Sequence, residues 1–168
     1  MDGFLNDSIM TQNFPVFQDS FKSPLGWIYI SAYRNNITKI SFFKPDKVEE
    51  NPNELTNAAI KQLEEYFDGK RKKFDLPLEP APVGTPFQQH VWSVLQEIPY
   101  GATLSYEIIA EKINDPGVAF AVRDAVNQNG IAIVIPAHRV VGDSGTVDTF
   151  ALHRDKKLWL QDHEKAYN

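Results

Sequence analysis

The 168-residue chain contains no cysteine, which removes disulfides, thiolate metal sites and a thiol nucleophile from the chemistry open to it. Its net charge is −5, which argues against a protein that holds nucleic acid mainly by phosphate attraction, although local basic patches can exist. Divided at Thr85, it has ten basic and twelve acidic residues before that point and seven and ten from it onward, so neither half escapes this limit. No apolar run approaches a membrane span. The first residues, with Asp2 and Asp7, lack the basic and apolar regions of a signal peptide, and a cytoplasmic, monomeric protein with no membrane partner is expected. The four histidines, His90, His138, His153 and His163, show no metal-ligand spacing, so no metal and no cofactor is expected. What is present, 42% hydrophobic and 12% aromatic residues, is the composition of a folded globular chain.

The first half has the pattern of a sheet followed by a helix, an α/β domain over residues 1–80. Phe21 to Gly26 is a turn signal, Trp27 to Tyr33 a strand, Asn35-Asn36 the next turn and Ile37 to Phe43 a partner strand, closed by Lys44-Pro45. From Asn53 to Phe67 the residues Leu55, Ala59, Leu63 and Phe67 recur at helical spacing, with Gly69 as the C-cap. Lys70 to Lys73 is expected to be a solvated loop, and the prolines Pro77, Pro80 and Pro82 mark a domain boundary.

Residues 81–168 are expected to be mainly helical. Thr85 caps a helix with Pro86 at its first position and Phe87, Val91 and Leu95 on its buried face. Thr103 or Ser105 caps a second helix that carries Tyr106, Ile109 and Ala110 and stops at Asn114-Asp115-Pro116-Gly117; a third runs from Val118 to Asn127. The two have the outline of a helix-turn-helix. A last helix from Asp155 through His163 packs Leu158, Trp159 and Leu160 and turns Lys156 and Lys157 to solvent.

One stretch departs from generic core. Ile131 to Ile135 is apolar and suits a short buried segment; Pro136 then removes a backbone donor, and His138 and Arg139 follow at the rim of a pocket. Between Pro136 and His138 stands Ala137, a side chain with no chemistry.

The short motifs Ser23-Pro24-Leu25-Gly26, Tyr66-Phe67-Asp68-Gly69, Gly84-Thr85-Pro86-Phe87-Gln88, Ile98-Pro99-Tyr100-Gly101, Ser105-Tyr106, Asn129, Ile135-Pro136, His138-Arg139-Val140 and His163-Glu164 span most of the chain. In this order they resemble the O6-alkylguanine-DNA alkyltransferases. The resemblance implies an α/β N-terminal domain and a C-terminal winged helix-turn-helix that binds double-stranded DNA through the minor groove and flips an alkylated guanine to a cysteine acceptor. By the same resemblance His138 is the base that acts on that thiol through water and Glu164 orients it. Tyr106 faces the flipped base, and Asn129 ties the recognition helix to the site turn. Ser105, Phe120, Arg123, Asn127 and Arg139 fall on the DNA-binding set, although Arg139 is more readily a brace of the site turn.

The chain also departs from that pattern. The family's Pro-Cys-His-Arg is Pro136-Ala137-His138-Arg139, its Arg-Ala-Val-Gly is Phe120-Ala121-Val122-Arg123, and Asn127 stands where many members carry an arginine. Its Tyr-x-x-Gly-Leu loop is replaced by Phe150 to Arg154, which includes His153. Three functions fit these residues: a DNA-binding, lesion-flipping protein that performs no transfer and signals to other DNA-repair proteins; a methyltransferase whose acceptor is substituted at Ala137; and a protein-interaction module that keeps only the fold.

Overall fold

A computed structural model describes residues 14–47, 49–115, 118–142, 145 and 153–168. Strands β1 (Val16–Ser23), β2 (Gly26–Tyr33) and β3 (Asn36–Ser41) form an antiparallel sheet in that order. β1 is absent from the sequence expectation because Gln18-Asp19-Ser20 interrupts its apolar alternation. Pairing along the whole of β2, from Val16 opposite Tyr33 to Ser23 opposite Gly26, supplies what intrinsic preference does not. The β2–β3 turn falls on Arg34 and Asn35, one residue earlier than expected. Both have positive φ, 49° and 68°, the conformation in which a two-residue turn follows the twist of its strands.

Helix α1 (Glu54–Phe67) packs on this sheet through Ala59, Leu63 and Phe67. A capping box starts it: the Asn53 side chain accepts from Thr56 N at 2.8 Å while the Thr56 hydroxyl accepts from Asn53 N at 2.9 Å. Gly69 follows it at φ 75°, and its N–H donates to Tyr66 O at 3.0 Å.

The free edge of β3 joins the two halves. Ile37 N donates to Pro77 O at 2.8 Å and Ile37 O accepts from Glu79 N at 2.9 Å, so the proline-rich segment lies along the strand rather than hanging as a linker. Farther along the same edge, Ile40 N donates to Gly130 O at 3.0 Å and Ile40 O accepts from Ala132 N at 2.9 Å. The chain entering the candidate site is thereby fixed to the N-terminal sheet. One apolar cluster runs from Ile28 and Leu63 to Ile131, Val140 and Leu160.

The second half holds α2 (Pro86–Leu95), α3 (Tyr106–Lys112), α4 (Ala119–Asn127) and α5 (Arg154–Tyr167). Thr85 and Gln88 cap α2 reciprocally at 3.1 and 2.9 Å, and Ser105, not Thr103, caps α3 by accepting from Ile108 N at 3.2 Å. A short parallel pair, β4 (Leu104–Ser105) with β5 (Val140–Val141), ties the start of α3 to the end of the site turn. Helices α3 and α4 form a helix-turn-helix, and the Trp92 indole donates to Ala125 O at 2.8 Å to hold α4 on α2. Pro116 and Gly117 of its turn, and Phe150 to Leu152 of the departing loop, lie outside the described residues. Among the described residues no helix is long and apolar enough to cross a membrane.

Candidate functional site

Ile131 to Ile135 forms no strand of its own: after the single bridge at Ile131 the chain winds into a tight turn, with Ile135 N donating to Ile131 O at 3.1 Å. Asn129, directly after α4, holds that turn. Its amide nitrogen donates to Ile131 O at 3.2 Å and Ile135 O at 2.9 Å, and its amide oxygen accepts from Ile131 N at 3.0 Å. The turn places Ile133, a β-branched residue, at φ 71°. Such a conformation costs on the order of 1–3 kcal/mol and persists only when its surroundings over-determine it. Burial of Ile131, Ile133 and Ile135, together with the Asn129 clamp, does so here. Pro136 follows, and Ala137–Arg139 make one turn of 3-10 helix that points its side chains back into the molecule.

Behind this turn Glu164, from α5, is 1% exposed and is the hub of a buried network. Its Oε2 faces His138 Nε2 at 2.5 Å and accepts from the Tyr66 hydroxyl at 2.7 Å and from Arg139 Nη2 at 3.0 Å. Its Oε1 accepts from Arg139 Nε at 2.8 Å and from Gly101 N at 3.0 Å. Burial alone would raise the Glu164 pKa; hydrogen bonds from His138 and Arg139 outweigh it and hold the carboxyl far below the usual range. An ionised carboxylate can only accept, so the proton between it and His138 is on Nε2. Burial lowers the His138 pKa more than Glu164 raises it, because Arg139 already balances the carboxylate and a second cation would be uncompensated. The imidazole is therefore neutral, and its Nδ1 lone pair has no hydrogen-bond partner among the described residues. Tyr66 stays protonated, desolvated and beside a carboxylate.

Arg139 donates to Glu164 with two nitrogens and to Ile98 O with the third, at 2.8 Å, and is 7% exposed. Its place on the DNA-binding set is thus corrected: the guanidinium is consumed inside the protein and braces the turn. Lys156 and Lys157 also need correction as a solvated helix face. Lys157 is 7% exposed, and both line a cavity with Ala137.

That cavity, about 60 Å³, is walled by the methyl of Ala137, by His138, Asn127 and Asn129, and by Phe42 from the N-terminal half. His153 closes one side, in a left-handed conformation at the start of α5, with its ring 5.3 Å from that of Phe42 and 4.6 Å from that of Phe43. Tyr106 begins α3 and is 5% exposed, outside the lining of this cavity, and Ser105 acts as the cap of α3. On the outer face of α4, Phe120 is 68% exposed and carries the Arg123 guanidinium 4.7 Å from its ring centre.

Sequence reasoning missed Tyr66, Gly101 and the Arg139 fork as partners of Glu164, since they arrive from segments up to 98 residues away. It also missed Phe42, Lys156 and Lys157 as cavity walls.

The family model described as 6-O-methylguanine DNA methyltransferase, ribonuclease-like domain, matches residues 16–80, and the one described as its DNA binding domain matches residues 86–166. A methylated-DNA–protein-cysteine methyltransferase of Methanosarcina acetivorans is 41% identical over 146 residues, covering 83% of this chain and 92% of its own length. The crystal structure of Mycobacterium tuberculosis O6-methylguanine methyltransferase matches with a TM-score of 0.82 at 34% identity over 92% of this chain and 95% of that one. The OGT of the same organism in complex with DNA matches at 0.81 and 35%, over 90% and 94%.

Proposed function

The chain belongs to the 6-O-methylguanine DNA methyltransferase family, and from that membership we propose that it binds double-stranded DNA and holds an O6-alkylated guanine at Ala137 without accepting the alkyl group. One observation carries this reading: the cavity ends on the Ala137 methyl, and its described lining contains no thiol and no hydroxyl. Transfer of an alkyl group needs an atom whose lone pair forms the new bond as the old carbon–oxygen bond breaks. A methyl group has none. His138 retains the protonation state of a general base, with Nδ1 open, and has no thiol beside it to deprotonate.

DNA engagement rests on shape more than on charge. Phe120 on the outer face of α4 is an apolar wedge of the kind that enters between base steps, and Arg123 adds a cation at its side. The lesion, bound and chemically unchanged, is then handed to other DNA-repair proteins.

In a titration at fixed salt, duplexes containing O6-methylguanine bind more tightly than undamaged duplexes of the same sequence; equal affinities overturn the reading. The intact network of His138, Arg139 and Glu164 supports a second reading, a methyltransferase with its acceptor position substituted. On that reading Ala137→Cys, incubated with the methylated duplex, gains the mass of one methyl group. No adduct rules it out.

A further inference from the structure

We infer that the groove beside residues 74–80 is a docking site for another protein, which adds an extended, apolar segment with carboxylates at one end to the edge of the N-terminal sheet. This surface is not the lesion cavity, and its role stands whether or not that cavity holds a base.

Two open clefts, of about 660 and 450 Å³, share Leu76, Leu78 and Gln96 and so make one groove. Residues 74–80 form one wall, and α2 with the residues that follow it forms the other. Along the first wall Phe74, Leu76, Leu78 and Pro80 are half-buried while Asp75, Pro77 and Glu79 are exposed, the alternation of an extended strand. Its backbone groups alternate too. Pro77 O and Glu79 N are turned to Ile37 of β3, and two residues earlier the Gln62 side chain donates to Asp75 O at 3.0 Å and accepts from Asp75 N at 2.9 Å. The N–H and C=O groups of Leu76 and Leu78 therefore point away from β3 and α1, and among the described residues none of them has a hydrogen-bond partner. No described residue of β3 or α1 lines the groove, so the groove lies on that open side. Pro80, with no N–H to offer, ends the edge. A short unpaired edge beside an apolar cleft is what a partner uses when it adds a strand.

The ends of the groove set the chemistry of that partner. Its floor is apolar, with Leu76, Leu78, Ile98, Val134 and Pro136. Lys72 and Lys73 stand at one end, exposed and without an ion-pair partner among the described residues. Glu97 is the one acid on the described lining of the larger cleft, and Glu79 marks the far end of the groove. Carboxylates on the partner match the two lysines. A nucleic-acid strand would instead carry its phosphates past Glu79 and Glu97, and it has no peptide N–H and C=O groups to pair with Leu76 and Leu78. Ile133 lines both this groove and the cavity at Ala137, so the docked partner rests against the turn that carries the site.

The test follows amide hydrogen exchange by NMR in the isotope-labelled full chain, with three blocked peptides as probes. They are Asp-Asp-Val-Thr-Leu-Thr-Val, the same peptide beginning Lys-Lys, and Asp-Asp followed by five prolines, which is extended but lacks the N–H groups of a strand. The first is expected to slow exchange at Leu76 and Leu78 and to bind at least about fivefold more tightly than the second. Replacing both exposed lysines, Lys72→Glu with Lys73→Glu, is expected to invert that preference, and the proline peptide to leave both amides unprotected. Unchanged exchange at millimolar peptide overturns the inference, as does equal affinity for the acidic and basic peptides or protection by the proline peptide. Protection that grows with the concentration of the chain alone identifies a second copy as the occupant, and protection by a thymidine decanucleotide identifies a nucleic acid; either result also overturns it.

Discussion

Glu164 carries the residue-scale logic of the site, because one ionised carboxylate is kept in the interior by four residues from three other segments of the chain. Removing one member of such a network costs more than forming it gained, since the remaining charge is left buried and unpaired. The protonation states have a measurable consequence. His138 is neutral in the folded protein, whereas the unfolded chain binds a proton on it below about 6.5. Stability is therefore full above that value and falls as pH drops through it. Glu164 is depressed, so its contribution is present above the ordinary carboxylate value, near 4.5, and is lost on further acidification. Thermal melts are expected to show a melting temperature that is flat above pH 7 and declines below about 6.5, then declines again below about 4.5. In His138→Gln the upper decline shrinks to what His153, also depressed, contributes. A melting temperature that rises between pH 7 and 5 contradicts the neutral assignment.

At the scale of the element, the decisive piece is the turn from Asn129 to Arg139. It carries a strained Ile133, three hydrogen bonds to one asparagine side chain and a 3-10 turn that faces inward. Asn129→Ala is expected to cost roughly 3 kcal/mol in urea unfolding, from unsatisfied backbone groups and a turn no longer over-determined. It should also weaken lesion binding, because Ala137 and His138 lose their placement. A loss under about 0.5 kcal/mol would show that burial alone fixes the turn. This element also marks where the sequence stops being legible. The β2–β3 hairpin, α1 and the caps at Thr85 and Ser105 follow from local chemistry and could be read from it. The course of Ile131 to Ile135 could not: five apolar residues carry no periodicity that separates a strand from a coil wound around an amide. β1 was hidden for a related reason, since its order comes from its partner strand. Ala137, His138, Asn129 and Glu164 were visible through a resemblance, whereas the inward turn of Lys157 depends on the phase of α5 against the core.

At the scale of the whole molecule, the two halves act on the same cavity. β3 holds the segment that enters the site, Phe42 forms one of its walls, and Tyr66 reaches across to Glu164. The N-terminal domain is thus part of the site rather than an appendage. With a net charge of −5, the molecule cannot rely on bulk attraction to phosphate, and the proposed function therefore assigns recognition to the α4 wedge and to the cavity. Binding without transfer is the central claim, and one measurement reaches it directly. The full chain is mixed with an O6-methylguanine duplex and, separately, with its undamaged counterpart; the complexes are isolated, and both the base composition of the DNA and the mass of the protein are determined. The complex is expected to form preferentially on the damaged duplex, with all of the O6-methylguanine recovered and the protein mass unchanged. Loss of the methyl group from the DNA, or equal recovery of complex from both duplexes, would contradict it.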